Sequence, residues 1–121
     1  MKIYVSHSTN FDYKKDLYKS LTDIIPHSKL ILPHEKHHLP TFTKDIIAQR
    51  KCNFILAEVS YPSTGQGIEL GWASLVDIPI ICIHKKKATV STSLQLIAAR
   101  FMPYHKISDL KDELLQIISL L

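Results

Sequence analysis

The chain has 121 residues, 45% of them apolar, which is enough for one domain with a core (residues 1–121) and too few for two. A formal charge of +4 with scattered basic residues favours a small anionic ligand and gives no support for a nucleic-acid surface. Two cysteines, no signal peptide and no apolar run of about 18 residues predict a cytoplasmic protein with reduced thiols and no membrane association.

Strands and helices alternate in the first half of the chain. Apolar residues recur with a helical period at Leu17, Leu21, Ile24 and Ile25. The predicted elements are a strand at 2–6, a helix at 12–25, a strand at 29–32, a polar loop at 34–39, and a helix at 41–50 capped by Thr41 or Thr43.

The centre of the chain predicts a buried strand at 53–59, a loop at 60–67 and a helix from 67 to 77. Gly65 and Gly67 are expected to take positive φ or to let a ligand approach the backbone, and Ser63 to share in a phosphate cradle. Glu69 then falls in the first helical turn, where an ionised carboxylate suits a nucleophile. Two alternatives are an ordinary strand-to-helix turn and a dinucleotide fingerprint, whose glycine spacing is one residue off here.

The last part of the chain predicts a strand at 79–84, a helix at 91–99, an edge strand at 101–106 interrupted by Pro103, and a helix at 108–121 that Ser108 begins. Cys52 and Cys82 lie beside or within predicted strands. Neither is expected to be catalytic, because neither occupies a turn or helix start that lowers a thiol pKa.

Alternating strands and helices predict an α/β fold, a single-domain three-layer sandwich. Its largely parallel, Rossmann-like or flavodoxin-like sheet has about five strands and helices on both faces. Ligands of such sheets bind outside the carboxyl ends of the strands. Tyr4, Asp45 and Ser93 are predicted to converge with Glu69 at that edge.

Residues 57–73, AEVSYPSTGQGIELGWA, carry a resemblance to a known family. With them, the chain resembles the nucleoside 2-deoxyribosyltransferase superfamily, and specifically its 2'-deoxynucleoside 5'-phosphate N-hydrolase branch. A weaker similarity extends over residues 2–97. The resemblance implies hydrolysis of the N-glycosidic bond of a (deoxy)nucleoside 5'-monophosphate, without a cofactor or metal, in a homodimer with shared active sites.

The resemblance also implies roles for individual residues. Glu69 corresponds to the carboxylate that attacks the anomeric carbon, Asp45 to the residue that acts on the leaving base, and Tyr4 to a group that assists the nucleophile. Ser63 and Gly65 match the loop that holds the 5'-phosphate, and Ser93 matches a serine that reaches the phosphate from a neighbouring subunit. The remaining candidate ligand contacts are Gly67, Ser6 and His7.

The sequence departs from the family at residues 6–11, SHSTNF, where members usually carry a glycine-bearing loop. The departure motivates a non-catalytic nucleotide-binding module as an alternative. A second alternative is a nucleoside 2'-deoxyribosyltransferase that passes the sugar between bases, which differs from the hydrolase only in whether water or a base resolves the intermediate. The same segment faintly resembles the start of Toll/interleukin-receptor-like domains. Three histidines and a glutamate at 34–38 also suggest a metal site, but their spacing favours a solvated loop.

Overall fold

The computed structural model describes residues 1–120 and contains one sheet of five parallel strands. The strands are β1 (Ile3–His7), β2 (Leu30–Ile31), β3 (Phe54–Glu58), β4 (Ile80–Lys85) and β5 (Arg100–Tyr104). Their order across the sheet is β2-β1-β3-β4-β5. This is the flavodoxin-like order, in which the connections reverse direction between β1 and β3. The predicted α/β class and the five-stranded parallel sheet are confirmed.

Helical segments link the strands and cover both faces of the sheet. They are a wide π-helical turn at Lys14–Lys19 that runs into α1 (Ser20–Thr22), then α2 (Phe42–Ala48), α3 (Thr64–Leu75) and α4 (Lys111–Ser119), with 3₁₀ turns at His27–Lys29, Thr92–Leu96 and Ile107–Leu110. Among residues 1–120, no helix is long and apolar enough to cross a membrane.

Each face of the sheet has its own apolar core, because successive side chains of a strand point to opposite faces. On one face Ile3 and Val5 pack with Leu17 and Leu21 of the first helical segment and with Leu114 of α4. The other face carries Tyr4, Ile55 and Ala57 against a second set of helical residues, namely Ile47 of α2 and Leu70 and Ala73 of α3. The alternation therefore decides which β1 side chains face α2 and α3.

Several predicted boundaries were wrong. The helix expected at 91–99 is a short 3₁₀ turn, Thr92–Leu96. Ser108 does not begin the last helix, because Asp109 instead accepts hydrogen bonds from the backbone N–H groups of His105 and Lys106, and α4 starts at Lys111. The predicted end of that helix, Leu121, lies outside the described residues.

Cys52 and Cys82 are both buried, as free thiols. Burial raises the pKa of each thiol to about 11, so neither is a thiolate at neutral pH.

Candidate active site

Glu69 lies in α3, which begins earlier than the glycines suggested. The hydroxyl of Ser63 caps the helix by accepting from the backbone N–H of Gln66 at 3.3 Å. Gly65 and Gly67 therefore belong to the first helical turn, and neither has a positive φ. The expectation of a glycine-hinged loop was wrong, and Glu69 sits in the second turn.

Two side chains of β1 hold the Glu69 carboxylate. The Ser6 hydroxyl donates to Oε1 at 2.5 Å, and the Tyr4 hydroxyl donates to Oε2 at 3.4 Å. Thr43 of α2 fixes Tyr4 in turn, because the two hydroxyl oxygens lie 2.7 Å apart, within hydrogen-bond distance. Burial, and then the charge of Glu69, raise the pKa of Tyr4, so that its hydroxyl keeps the proton it donates.

The Glu69 carboxyl is not fully ionised at neutral pH, contrary to the sequence expectation. Burial raises its pKa from 4.5 to about 7, although the hydrogen bonds from Ser6 and Tyr4 pull it down. Desolvation thus exceeds the stabilisation that two hydroxyl donors give to the charge. A carboxyl with this pKa is present as acid and as carboxylate in similar amounts at pH 7, which suits a group that does chemistry.

Glu69 and Tyr4 line a cleft of about 450 Å³, which is within the usual size range of small-molecule sites. Besides these two residues, the cleft is lined by the connection from Pro33 to Thr43 and by the exposed side of α3 at Gly65, Ile68 and Trp72. The cleft lies beside β1 at the carboxyl edge of the sheet, where ligands of this topology bind.

The predicted phosphate contacts fall mostly in a second cavity, on the other side of the start of α3. This cavity has a volume of about 360 Å³, and Ser63, Gly67 and Ser93 line it, whereas Gly65 lines the cleft. The first turn of α3 thus separates two adjoining spaces. Its earliest N–H groups precede the helical hydrogen bonds and have no carbonyl partner within the helix.

His7 does not reach the cleft. It follows Ser6 in β1 and so points to the opposite face, where its side chain is 5% exposed. Its Nδ1 bonds to the carbonyl oxygen of Ser8 at 2.7 Å, and its Nε2 bonds to the Tyr18 hydroxyl at 2.6 Å. Burial lowers the pKa of His7 to about 4. The ring is therefore a neutral core group with both nitrogens occupied, which does not favour its predicted role as a ligand contact.

Asp45 forms no hydrogen bond with Glu69 among the described residues. It lies on the exposed side of α2 and lines a depression that adjoins the cleft, since His37, His38, Leu39 and Phe42 line both. Thr43, two residues earlier, takes the inward position and bonds to Tyr4. The implied action of Asp45 on the leaving base stays a prediction.

A buried carboxylate that the sequence analysis passed over fixes the turn before α3. Glu58 is 1% exposed and accepts from the backbone N–H of Ser60 at 2.6 Å, from the Ser60 hydroxyl at 3.0 Å and from the Tyr104 hydroxyl. The side-chain amide of Gln66 donates to the backbone carbonyl of Glu58 at 2.9 Å. These bonds join β3, β5 and the start of α3, and so hold the helix that carries Glu69.

Sequence reasoning also missed Thr43 and Trp72 as parts of the site. Thr43 is one turn before Ile47, which is buried, and this spacing was a usable signal for an inward position. Among residues 1–120, no three His, Cys, Asp or Glu side chains are arranged to hold a metal ion.

The fold and the site define a small parallel α/β domain with a half-buried, partly protonated glutamate at the carboxyl edge of its sheet. No family model matches the chain. A curated relative does match: a Methanosarcina mazei protein named "Putative 2'-deoxynucleoside 5'-phosphate N-hydrolase 1" is 35% identical over 51 residues, which are 42% of this chain and 32% of the relative. The match thus spans about a third of the relative's length.

A solved structure shares the fold. The CMP N-glycosidase of Clostridium botulinum superposes with a TM-score of 0.69 at 20% identity, over 97% of this chain and 99% of that one. At this identity the likeness shows the fold alone. The curated relative carries the name of the N-hydrolase branch that residues 57–73 resemble.

Proposed function

We propose that this protein is an enzyme that hydrolyses the N-glycosidic bond of a nucleoside 5'-monophosphate or its 2'-deoxy counterpart. The observation that carries the proposal is Glu69, a carboxyl with a pKa of about 7 that Ser6 and Tyr4 orient at the wall of the cleft. The names of the two similar proteins, an N-hydrolase and an N-glycosidase, support the same class of reaction.

The proposed reaction has two displacements. The Glu69 carboxylate attacks C1' of the sugar, and the electrons of the C1'–N bond pass to the base, which takes up a proton and leaves. Water then attacks C1', the ester oxygen returns to Glu69, and free sugar 5-phosphate is released. Ser6 and Tyr4 orient the carboxylate for the first step and stabilise it when the second step releases it, because each donates to one of its oxygens.

The test of this function is a panel of ribonucleoside and deoxyribonucleoside 5'-monophosphates, incubated with and without an acceptor base and followed by chromatography. Free base released in water supports the hydrolase and names its substrate. A product formed only with the acceptor identifies a 2'-deoxyribosyltransferase instead. Nucleotide that binds and is not cleaved identifies a binding module and refutes the enzyme.

The 5'-phosphate is proposed to bind at the N-terminus of α3, near Ser63, Gly65, Gly67 and Ser93. Free N–H groups and the positive end of the helix dipole attract an anion there, and α3 has 12 residues. A Cβ atom at Gly65 or Gly67 would meet nothing within 4 Å, so the space beside this turn is open.

Gly65→Ala is expected to weaken nucleotide binding by about 10- to 100-fold, because the added Cβ would occupy the open space beside this turn and keep the phosphate out of hydrogen-bond distance of the N–H groups. The same change is expected to stabilise the fold by up to about 1 kcal/mol, because alanine is the better helix former. Calorimetric titration with nucleoside 5'-monophosphates and thermal unfolding measure the two effects.

Gly71→Ala is the matched control, since Gly71 lies in the same helix and also has open space at its Cβ position. It is expected to stabilise the fold without changing nucleotide affinity. Native affinity in Gly65→Ala would place the phosphate elsewhere.

A homodimer is proposed to form through the exposed side of α3. Ile68, Trp72 and Leu75 follow one another at helical spacing, and Ile68 and Leu75 are 51% and 85% exposed. Leu75→Glu is expected to convert a dimer to a monomer in light-scattering measurements, whereas Leu120→Glu, at another exposed leucine, is not. A native protein that is monomeric at micromolar concentration would contradict this assembly.

A further inference from the structure

A third cavity, of about 490 Å³, lies at the carboxyl ends of β4 and β5, on the face of the sheet that carries Leu17 and Leu21. Its walls come from the loop after β1, the first helical segment, the end of β4 and the residues after β5. It shares no lining residue with the cleft of Glu69 or with the cavity beside Ser63. Parallel sheets of this topology bind ligands at this edge, so the cavity has a suitable position for one.

Ammonium groups from three separate segments line this cavity. They belong to Lys15, Lys19, Lys85 and Lys106. Among residues 1–120, none of the four forms an ion pair. Two carboxylates, Asp16 and Asp23, also line the cavity, so the lysines outnumber them and the lining has a net positive charge. Like charges at one cavity repel each other, and an anion that binds among them removes this repulsion.

Lys85 is held in place at the cavity wall. Its backbone N–H donates to the Ser60 hydroxyl at 2.8 Å, and its ammonium group donates to the Tyr61 hydroxyl at 2.9 Å. The Tyr61 ring is stacked on Phe11, with centroids 4.8 Å apart and planes at 21°, and Phe11 itself lines the cavity. An ammonium group has three N–H donors, so two remain for an anion. A donor that is already positioned loses less conformational entropy when a ligand binds.

We propose that this cavity binds a ligand that carries a di- or triphosphate group. A single phosphate monoester has a charge of about −2 at neutral pH, which two ammonium groups neutralise. A chain of two or three phosphates carries more charge and reaches lysines on separate segments. The site goes beyond the proposed hydrolysis and does not depend on it, because none of its lining residues lines the cleft of Glu69.

Two sources of a phosphate chain fit this lining. Inorganic polyphosphate uses the lysines alone. A nucleoside triphosphate also uses the other side chains, because Asp16 and Asp23 accept hydrogen bonds from ribose hydroxyls and the Phe11 ring packs against a base.

Calorimetric titration with inorganic phosphate, inorganic tripolyphosphate and ATP, in the absence of Mg²⁺, tests the site. Tripolyphosphate is expected to bind at least about tenfold more tightly than phosphate, because it forms more charge-assisted hydrogen bonds. Equal affinities of ATP and tripolyphosphate identify the phosphate chain as the ligand, whereas tighter binding of ATP identifies a nucleotide. Tripolyphosphate that binds no more tightly than phosphate would overturn the proposal.

The double variant Lys15→Gln with Lys19→Gln is expected to weaken tripolyphosphate binding by about 10- to 100-fold, since hydrogen bonds to a charged group are lost. Both lysines are exposed, and glutamine has a helix propensity close to that of lysine, so the fold is retained. Native affinity in this variant would overturn the site. Circular dichroism checks that the variant is folded.

The matched control is Lys29→Gln with Lys111→Gln, which removes the same charge at two lysines outside the cavity. It is expected to keep the native affinity, and an equal loss would show general attraction to a basic protein instead of a site. Gly65→Ala is expected to leave tripolyphosphate binding unchanged, and a loss there that matches the lysine variant would assign the anion to α3. Binding is measured without turnover, so the result is separate from the failure or success of the proposed hydrolysis.

Discussion

Glu69→Gln is expected to lower the rate of base release by at least about 10⁴-fold, as removal of a nucleophile does in other covalent mechanisms. The amide has nearly the same shape and its carbonyl oxygen can accept from one of the two hydroxyls, but it does not attack C1'. Initial rates measured by chromatography at pH 8, above the pKa of about 7, compare the two proteins with native Glu69 mostly ionised.

Glu113→Gln provides the control for this experiment. Glu113 is a half-exposed glutamate that pairs with Arg100 at 2.7 Å in another part of the molecule. Its replacement is expected to leave the rate unchanged. More than about a tenth of native activity in a correctly folded Glu69→Gln protein would rule out Glu69 as the attacking group.

The second large effect is on stability, where Glu69 and His7 respond to pH in opposite directions. The Glu69 carboxyl has a pKa of about 7 in the fold and 4.5 in the open chain, so the fold favours its acid form. This difference corresponds to about 3 kcal/mol. The destabilisation is complete above pH 7 and disappears as the pH falls to 4.5. Acidification therefore stabilises the fold through Glu69.

His7 has the reverse dependence. Its pKa is about 4 in the fold and 6.5 in the open chain, so the unfolded chain takes up the proton first. The cost of keeping the ring neutral is absent above pH 6.5 and grows to about 3 kcal/mol as the pH falls to 4. Between about pH 4.5 and 6.5, the opposite effects of the two groups on the unfolding free energy largely cancel in the native protein.

Single variants separate the two contributions. Relative to the native protein, Glu69→Gln is expected to gain about 3 kcal/mol of unfolding free energy at pH 7.5 and almost none at pH 4.5. For His7→Gln, the loss of unfolding free energy relative to the native protein is expected to be smallest at pH 4, where the native protein itself is destabilised by its neutral His7. Urea unfolding followed by circular dichroism at several pH values measures both. If the difference in unfolding free energy between each variant and the native protein does not change with pH, neither group has the shifted pKa.

The strands of this fold could be predicted from the sequence because parallel strands are buried on both faces. Residues 53–59 and 79–84 are almost continuously apolar, and both predictions are close to β3 and β4. The start of α3 was harder to predict, since glycines usually indicate a loop. Here the Ser63 cap and the burial of Leu70 and Ala73 outweigh the poor helix propensity of two glycines.

Part of the site could be predicted and part could not. The alternation of side chains along β1 would have placed Tyr4 and Ser6 together and His7 on the other face. Likewise, Asp45 follows Thr43 by about 200° around α2, so an inward Thr43 turns Asp45 outward. The raised pKa of Glu69 had no local signal, because its burial depends on the tertiary fold, which also brings β1 against it from more than 60 residues earlier in the chain.

The most direct test of Glu69 as the attacking group is the configuration of a trapped product. The nucleotide is cleaved in buffer that contains methanol, and the anomeric configuration of the methyl glycoside 5-phosphate is determined by proton NMR. Two displacements through Glu69 predict retention, so a β-nucleotide gives the β-methyl product. An α-methyl product, or no cleavage of any nucleotide in the panel, would contradict the account.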